Sequence, residues 1–280
     1  MTESVKGTNN GTSRHKSTLE WIPVSELEID PDVQRLHLDL KKIERMRKNY
    51  NPDALGVCTV SKRNAVTIVV IDGMHRRQLQ AEVTSGAGKL LCRVFTDLTP
   101  AEEALMFLDL NHGNQPNILD KFRMRKRAED KVALEIDRIC KQHGWLIQPG
   151  VANGVIQAVG AVEGIYLRSI KYDYEPNILD LTLRMVTHAW GNNHEGVQAV
   201  ILLGVSALLA EHQDMVDVSI LEKAMGQYES GPLGLRTSAR AYASIEKGHV
   251  PMAVAHLLTQ AYNRQVRGAR AKLPAWRKRS

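Results

Sequence analysis

Apolar residues in the first half of the chain alternate between short β-like runs and helical spacing. Trp21-Ile22-Pro23-Val24 reads as a strand near 20–24, followed by a turn at Asp30-Pro31. From about Asp39 to Asn49, Leu40, Ile43, Met46 and Arg47 form a partial apolar stripe, which Asn51-Pro52 ends. Strands at 56–62 and 66–71 meet at Lys62-Arg63-Asn64 and read as a hairpin. A helix from 75 to about 84 leads through Ser85-Gly86-Ala87-Gly88 to a strand at Lys89–Phe95. Thr99-Pro100-Ala101-Glu102 is a capping box with proline at the first helical position, opening a helix that runs to Leu110.

The second half changes period. Helical spacing dominates 117–142 and stops at Gly144. Trp145-Leu146-Ile147 and Val155-Ile156-Gln157 read either as a small two-stranded wing or as a loop with a helix. Further helices are predicted at 157–168, 176–190, 194–212, 219–228 and 235–262, with a second capping box at Ser219-Ile220-Leu221-Glu222. Val197, Val200, Ile201, Gly204, Val205 and Leu208 share one helical face and read as core. The fold class is therefore α+β: a small α/β domain followed by an all-helical domain. The chain divides into a disordered leader at 1–18, an α/β domain at 19–115, a helical domain at 116–262 and a basic tail at 263–280. The central boundary falls near 112–118 or near 144.

Composition narrows the class. The 280 residues, 43% hydrophobic and 24% charged, suit a soluble globular protein with a sizeable core. No apolar run reaches the ~18 residues that span a bilayer, and no membrane partner is expected. Cys58, Cys92 and Cys140 are scattered without CxxC spacing, which points to core thiols and a reducing, cytoplasmic setting. The histidines show no HExxH or related ligand spacing, so no metal ligands are assigned. A net charge of +6 permits contact with nucleic acid without demanding it.

The richest stretch for chemistry is Thr67-Ile68-Val69-Val70-Ile71-Asp72-Gly73-Met74-His75-Arg76-Arg77-Gln78. A buried strand ends at Asp-Gly, and His75, Arg76 and Arg77 open a helix whose first amides already favour an anion. Asp-Gly-x-His-Arg-Arg after a strand resembles the signature of the ParB/sulfiredoxin-like superfamily, whose Gly-x-x-Arg is matched by Gly73 and Arg76. Trp21 to Leu27 with Val33-Gln34-Arg35 resembles that family's opening strand and Gln-Arg loop. Leu98 to Ala104 with Leu110-Asn111 resembles its Asn-terminated helix. The match covers roughly 19–125.

The resemblance implies a nucleotide or phosphate site formed by Gln34, Arg35, Gly73, His75, Arg76 and Asn111, with a nucleoside triphosphate and Mg²⁺ as its cofactors; Arg77, beside the matched positions, is a further candidate that could instead point away on the helix. It implies DNA as a partner, and a homo-oligomer. Removing Arg76 is expected to abolish binding and leave the fold intact. Met74 stands where ParB proteins carry Glu and where sulfiredoxins carry the catalytic Cys. With no thiol there, sulfiredoxin chemistry is excluded. The alternative is a Mg²⁺-dependent nuclease or nucleotide-dependent kinase on the same site. Asp72 would then be its base or ligand, unless it merely closes an Asx-turn, and Glu26, Glu28, Asp30 and Asp32 are further acids to consider.

Basic clusters at Lys121, Arg123, Arg125, Lys126 and Arg127, and in the tail at Arg277, Lys278 and Arg279, are candidates for backbone phosphates. No helix-turn-helix stands out; 153–167 comes nearest. The later residues Leu179, Leu183, Met185, Ala189-Trp190-Gly191 and Tyr262-Asn263-Arg264 loosely resemble ParB-like proteins of phages and mobile elements.

Overall fold

The computed structural model describes residues 15–35, 37–111, 116–212, 215–267 and 272–274. Most of the expected leader, and Arg277, Lys278 and Arg279, lie outside them. The fold is α+β with a helical C-terminal part, and the chain divides into two compact units at Asp130/Lys131.

The first unit is built on a five-stranded mixed sheet in the order β1-β5-β3-β4-β2. In chain order it runs β1 (Ser17–Pro23), β2 (Leu27–Glu28), α1 (Leu40–Lys48), β3 (Cys58–Lys62), β4 (Ile68–Asp72), α2 (Met74–Val83), β5 (Lys89–Phe95), α3 (Pro100–Leu110) and α4 (Ile118–Arg127). The expected hairpin is the antiparallel pair β3–β4, and β5 runs parallel to β3 and antiparallel to β1. Ser17 and Thr18, expected in the leader, pair with Phe95 and Val94.

Successive β4 side chains point to opposite faces, and both faces are covered. Ile68 and Val70 join Ile22, Val24, Val60, Leu90 and Val94 on one side, with Ala81 of α2 packed against them. Ile71 joins Ala104, Phe107 and Met124 from α3 and α4 on the other. That double burial is why β4 reads as an unbroken apolar run. Packing of α4 on α3 also moves the division of the units past the expected 115/116 to Asp130/Lys131.

The same unit contains a paired acidic loop. Glu103, fully buried on α3, receives Arg63 Nε at 2.9 Å, and Arg63 Nη2 also reaches Asp30 at 2.8 Å. Burial pushes the Asp30 carboxyl up, but the Asp32 N–H and the Arg63 guanidinium outweigh it and hold the group below its usual range.

The second unit comprises α5 (Lys131–Gln142), β6 (Leu146–Ile147), β7 (Val155–Ile156), α6 (Val159–Lys171), α7 (Ile178–Trp190), α8 (Ala199–Glu211), α9 (Val218–Gly226), α10 (Gly231–Ile245) and α11 (Val250–Gln265). It is not all-helical, because β6 and β7 form a short parallel pair. The 153–167 segment holds a turn, β7 and the start of α6 rather than two short helices. Helix α8 is buried nearly all round, and Gly204 lets α11 approach so closely that an added Cβ would lie 2.5 Å from Val254 Cβ. The single helix expected at 235–262 is broken into α10 and α11, with Lys247 at φ +49° and Pro251 in the first turn of α11. Among the described residues no helix is long and apolar enough to cross a membrane.

The expected capping box at Ser219 is replaced by a cap two residues earlier. Asp217 accepts from the N–H groups of Ser219 and Ile220 at 2.9 and 3.1 Å. Asp217→Ala should therefore lower stability by about 1 kcal/mol, while Ser219→Ala stays within a few tenths. Urea denaturation of the two variants measures the difference.

Candidate functional site

Gly73 is the hinge of the candidate site. It sits at φ +114° between β4 and α2, where an added Cβ would fall 2.5 Å from Cys58 Sγ on the neighbouring strand β3. No side chain caps α2 at this end, so its first-turn amides are left facing the turn.

Around that turn lies a cavity of about 320 Å³. Gln34, Arg35, Asp72, Gly73, His75, Arg76 and Asn111 all line it, so these sequence candidates come together. Arg77 does not. Its Nε donates to the Leu27 carbonyl at 3.1 Å, on the β2 side of the helix. Phe107, Leu110, Met46 and Met74 supply apolar wall.

Each polar group is held from more than one element. Gln34 is buried and its amide donates to the Val70 and Ile71 carbonyls of β4. Arg35 Nη2 donates to Asn111 Oδ1 at 2.8 Å, and the Asn111 amide donates to Phe107 O at 2.9 Å. Asn111 therefore braces Arg35. His75 is also nearly buried, and its Nε2 accepts the Asp39 N–H at 3.1 Å at the start of α1. Burial, with the charges of Lys42 and Arg35, pushes the His75 pKa below its usual value, so the ring is a neutral acceptor there.

Arg76 is not the open guanidinium that the sequence suggests. Nη2 bonds Asp72 Oδ2 at 2.6 Å, and Nη1 donates to the Val57 and Leu55 carbonyls at 2.8 and 3.4 Å. Removing Arg76 thus unties the 55–57 loop as well as altering the pocket. Asp72 is correspondingly a partner of Arg76 rather than a poised base. Among the described residues it is the sole carboxylate lining the cavity, and no group of three or more His, Cys, Asp or Glu could hold a metal ion. The residues present do not fit a protein-held Mg²⁺, and no step is derived through one.

Sequence reasoning missed Lys42, which lines the cavity from α1 and has no carboxylate partner among the described residues. Helical spacing is the signal that separates it from Lys41: Lys42 lies one turn before Met46, which lines the same cavity, and Lys41 one turn before Arg45, which does not.

The basic cluster on α4 is engaged elsewhere. Arg123 donates to Pro31 O at 2.8 Å and lies 3.8 Å from Asp32 and 3.7 Å from Asp120. Arg127 lies 3.7 Å from Asp32, and Arg125 bonds Asp130 at 2.9 Å. Lys121 and Lys126 also have partners. Unpaired phosphate-binding cations, as the sequence suggests, are not what this helix presents. Asp30 and Asp32 are tied up in the same way.

Comparison with protein families gives one match, to a family of unknown function (DUF6551), over residues 31–274. The chain belongs to that family. The matched span runs from the acidic loop through both units and takes in every residue lining the cavity. No curated protein matches the chain.

Two expectations follow from the geometry. Gly73→Ala meets both a positive φ and the Cys58 sulfur and should cost about 3 kcal/mol, whereas Gly86→Ala, at φ +85° in open space, should cost about 1 kcal/mol. Thermal and urea denaturation compare them. His75, with its folded pKa below its unfolded one, contributes stability that is full above pH 6.5 and is lost as pH falls through the folded value. His75→Gln should flatten that part of the stability–pH curve. His212 is shifted the same way, and its share of the slope should remain.

Proposed function

We propose that this protein binds a phosphate-bearing ligand, of nucleotide type, in the cavity at the β4–α2 turn. The observation that carries the reading is the charge balance of the lining. Arg35, Lys42 and the uncapped α2 N-terminus face a space whose one carboxylate among the described residues, Asp72, is neutralised by Arg76. Backbone amides at a helix start and cations from a separate loop and helix suit the distributed charge of a phosphate. The Gly73–Arg76 match to ParB-like proteins supports a nucleotide as the ligand, in a cytoplasmic, DNA-associated setting, with the tail as the remaining basic segment for nucleic acid. A nuclease or kinase would have Asp72 alone as ligand or base, already paired with Arg76, so binding is the better reading.

Arg35→Ala and Lys42→Ala should each weaken nucleoside triphosphate binding about tenfold, with Lys42→Ala leaving the melting temperature near wild type. Arg76→Ala should weaken binding and also lower the melting temperature. Isothermal titration calorimetry at two salt concentrations measures this, and wild-type affinity in both the Arg35 and Lys42 variants removes the site.

A further inference from the structure

The cavity does not end at the phosphate position. Arg35, Lys42 and Met46 line it on one side and also line an adjoining groove of about 920 Å³ that follows α1. A free phosphate would leave that groove empty, and it is within the size range of small-molecule sites.

The chemistry of the groove differs from that of the cavity. Its floor is apolar, with fully buried Leu79 beside Met46 and Leu55. Its rim carries polar groups held in place by their own bonds. Tyr50 donates its hydroxyl to Gln80 Oε1 at 2.7 Å, which fixes the ring. The Asn51 oxygen accepts the Asp53 N–H at 3.0 Å, which leaves the NH₂ as the donor end of that amide. Arg45 adds a cation, and Asp39, the one lining carboxylate among the described residues, is occupied in capping α1 by accepting the Lys42 N–H.

We propose that the ligand is a small organic phosphate lying along α1, with its phosphate at the Arg35–Lys42 junction and its organic part in the groove beside Tyr50 and Asn51. This rests on the phosphate-site reading above and adds where the organic part of the ligand lies. A flat body with hydrogen-bonding edges, as in a nucleoside, matches an apolar floor with an amide and a phenol at its rim. A bare oxyanion uses none of these groups.

The test fills the groove without touching the phosphate end. Ala54 and Asn49 are exposed and line the groove but not the cavity, so Ala54→Trp and Asn49→Trp should fold as wild type, which thermal melting checks. The full chain is titrated with ATP, CTP, GTP, UTP and inorganic tripolyphosphate. The expected result is that the tightest of the nucleotides loses at least about tenfold in both tryptophan variants while tripolyphosphate is unaffected, and that Arg35→Ala weakens both ligands. If the tryptophan variants leave nucleotide affinity intact, or weaken tripolyphosphate equally, while Arg35→Ala still weakens both ligands, the groove proposal is overturned and the phosphate site stands. If the wild-type chain binds none of the five probes, both readings fall.

Discussion

One buried amide holds the site together. The β2–β4 ladder ends at Glu28↔Val69, and past that point the side chain of Gln34 donates to the Val70 and Ile71 carbonyls. A side chain thus continues the bonding where the short strand has run out, as a buried strand edge requires. Its consequence is positional. Gln34 fixes the loop that carries Arg35 beside the end of β4, and Asn111 at the end of α3 fixes the Arg35 guanidinium. Loop, strand and helix therefore set one cation before any ligand arrives, which lowers the ordering cost of binding.

One further charge pair of the first unit follows the cost of burying a carboxylate. Glu103 has no exposed surface and must be paired, so Arg63 is drawn from the β3–β4 turn across 40 residues of sequence. Asp32, which is exposed, lies within ion-pair distance of Arg123 and Arg127, and partly exposed Asp72 pairs with Arg76. Three arginines of the basic cluster thus lie within ion-pair distance of carboxylates of their own unit. Lys42 escapes because the carboxylate next to it, Asp39, is already occupied by the α1 N-terminus.

Legibility of the fold tracks whether a signal is local. The Thr99–Glu102 capping box forms as read, and the Lys89–Phe95 strand has the bounds that its sequence suggests. Both signals lie within a few residues. The break between α10 and α11 carries local signals, Gly248 after one helix and Pro251 in the first turn of the next, which a reading of apolar spacing alone over 235–262 does not use. Ser219 offered a capping box, but Asp217, bonded through its N–H to Tyr262, fixes the chain two residues earlier. At the site, the Gly73 turn, Arg35 and Asn111 were legible as a motif. The fate of Arg76 was not, since its partners Val57 and Leu55 belong to another element. Lys42 belongs to no motif, and its one signal is the helix face that it shares with Met46.

The Asp72–Arg76 pair gives the cavity a direction. Joined at 2.6 Å across the Gly73 turn, the two groups nearly cancel in charge, although the guanidinium remains a hydrogen-bond donor. The rest of the lining carries Arg35 and Lys42, and among the described residues it adds no further carboxylate. An anion in the cavity is drawn toward α1 and must compete with Asp72 if it is to reach Arg76. Phe107 and Leu110 line another part of the wall with apolar surface, which offers nothing to a charged group. The field and the space therefore point the same way, from the β4–α2 turn along α1, and the groove beside Tyr50 and Asn51 lies on that line.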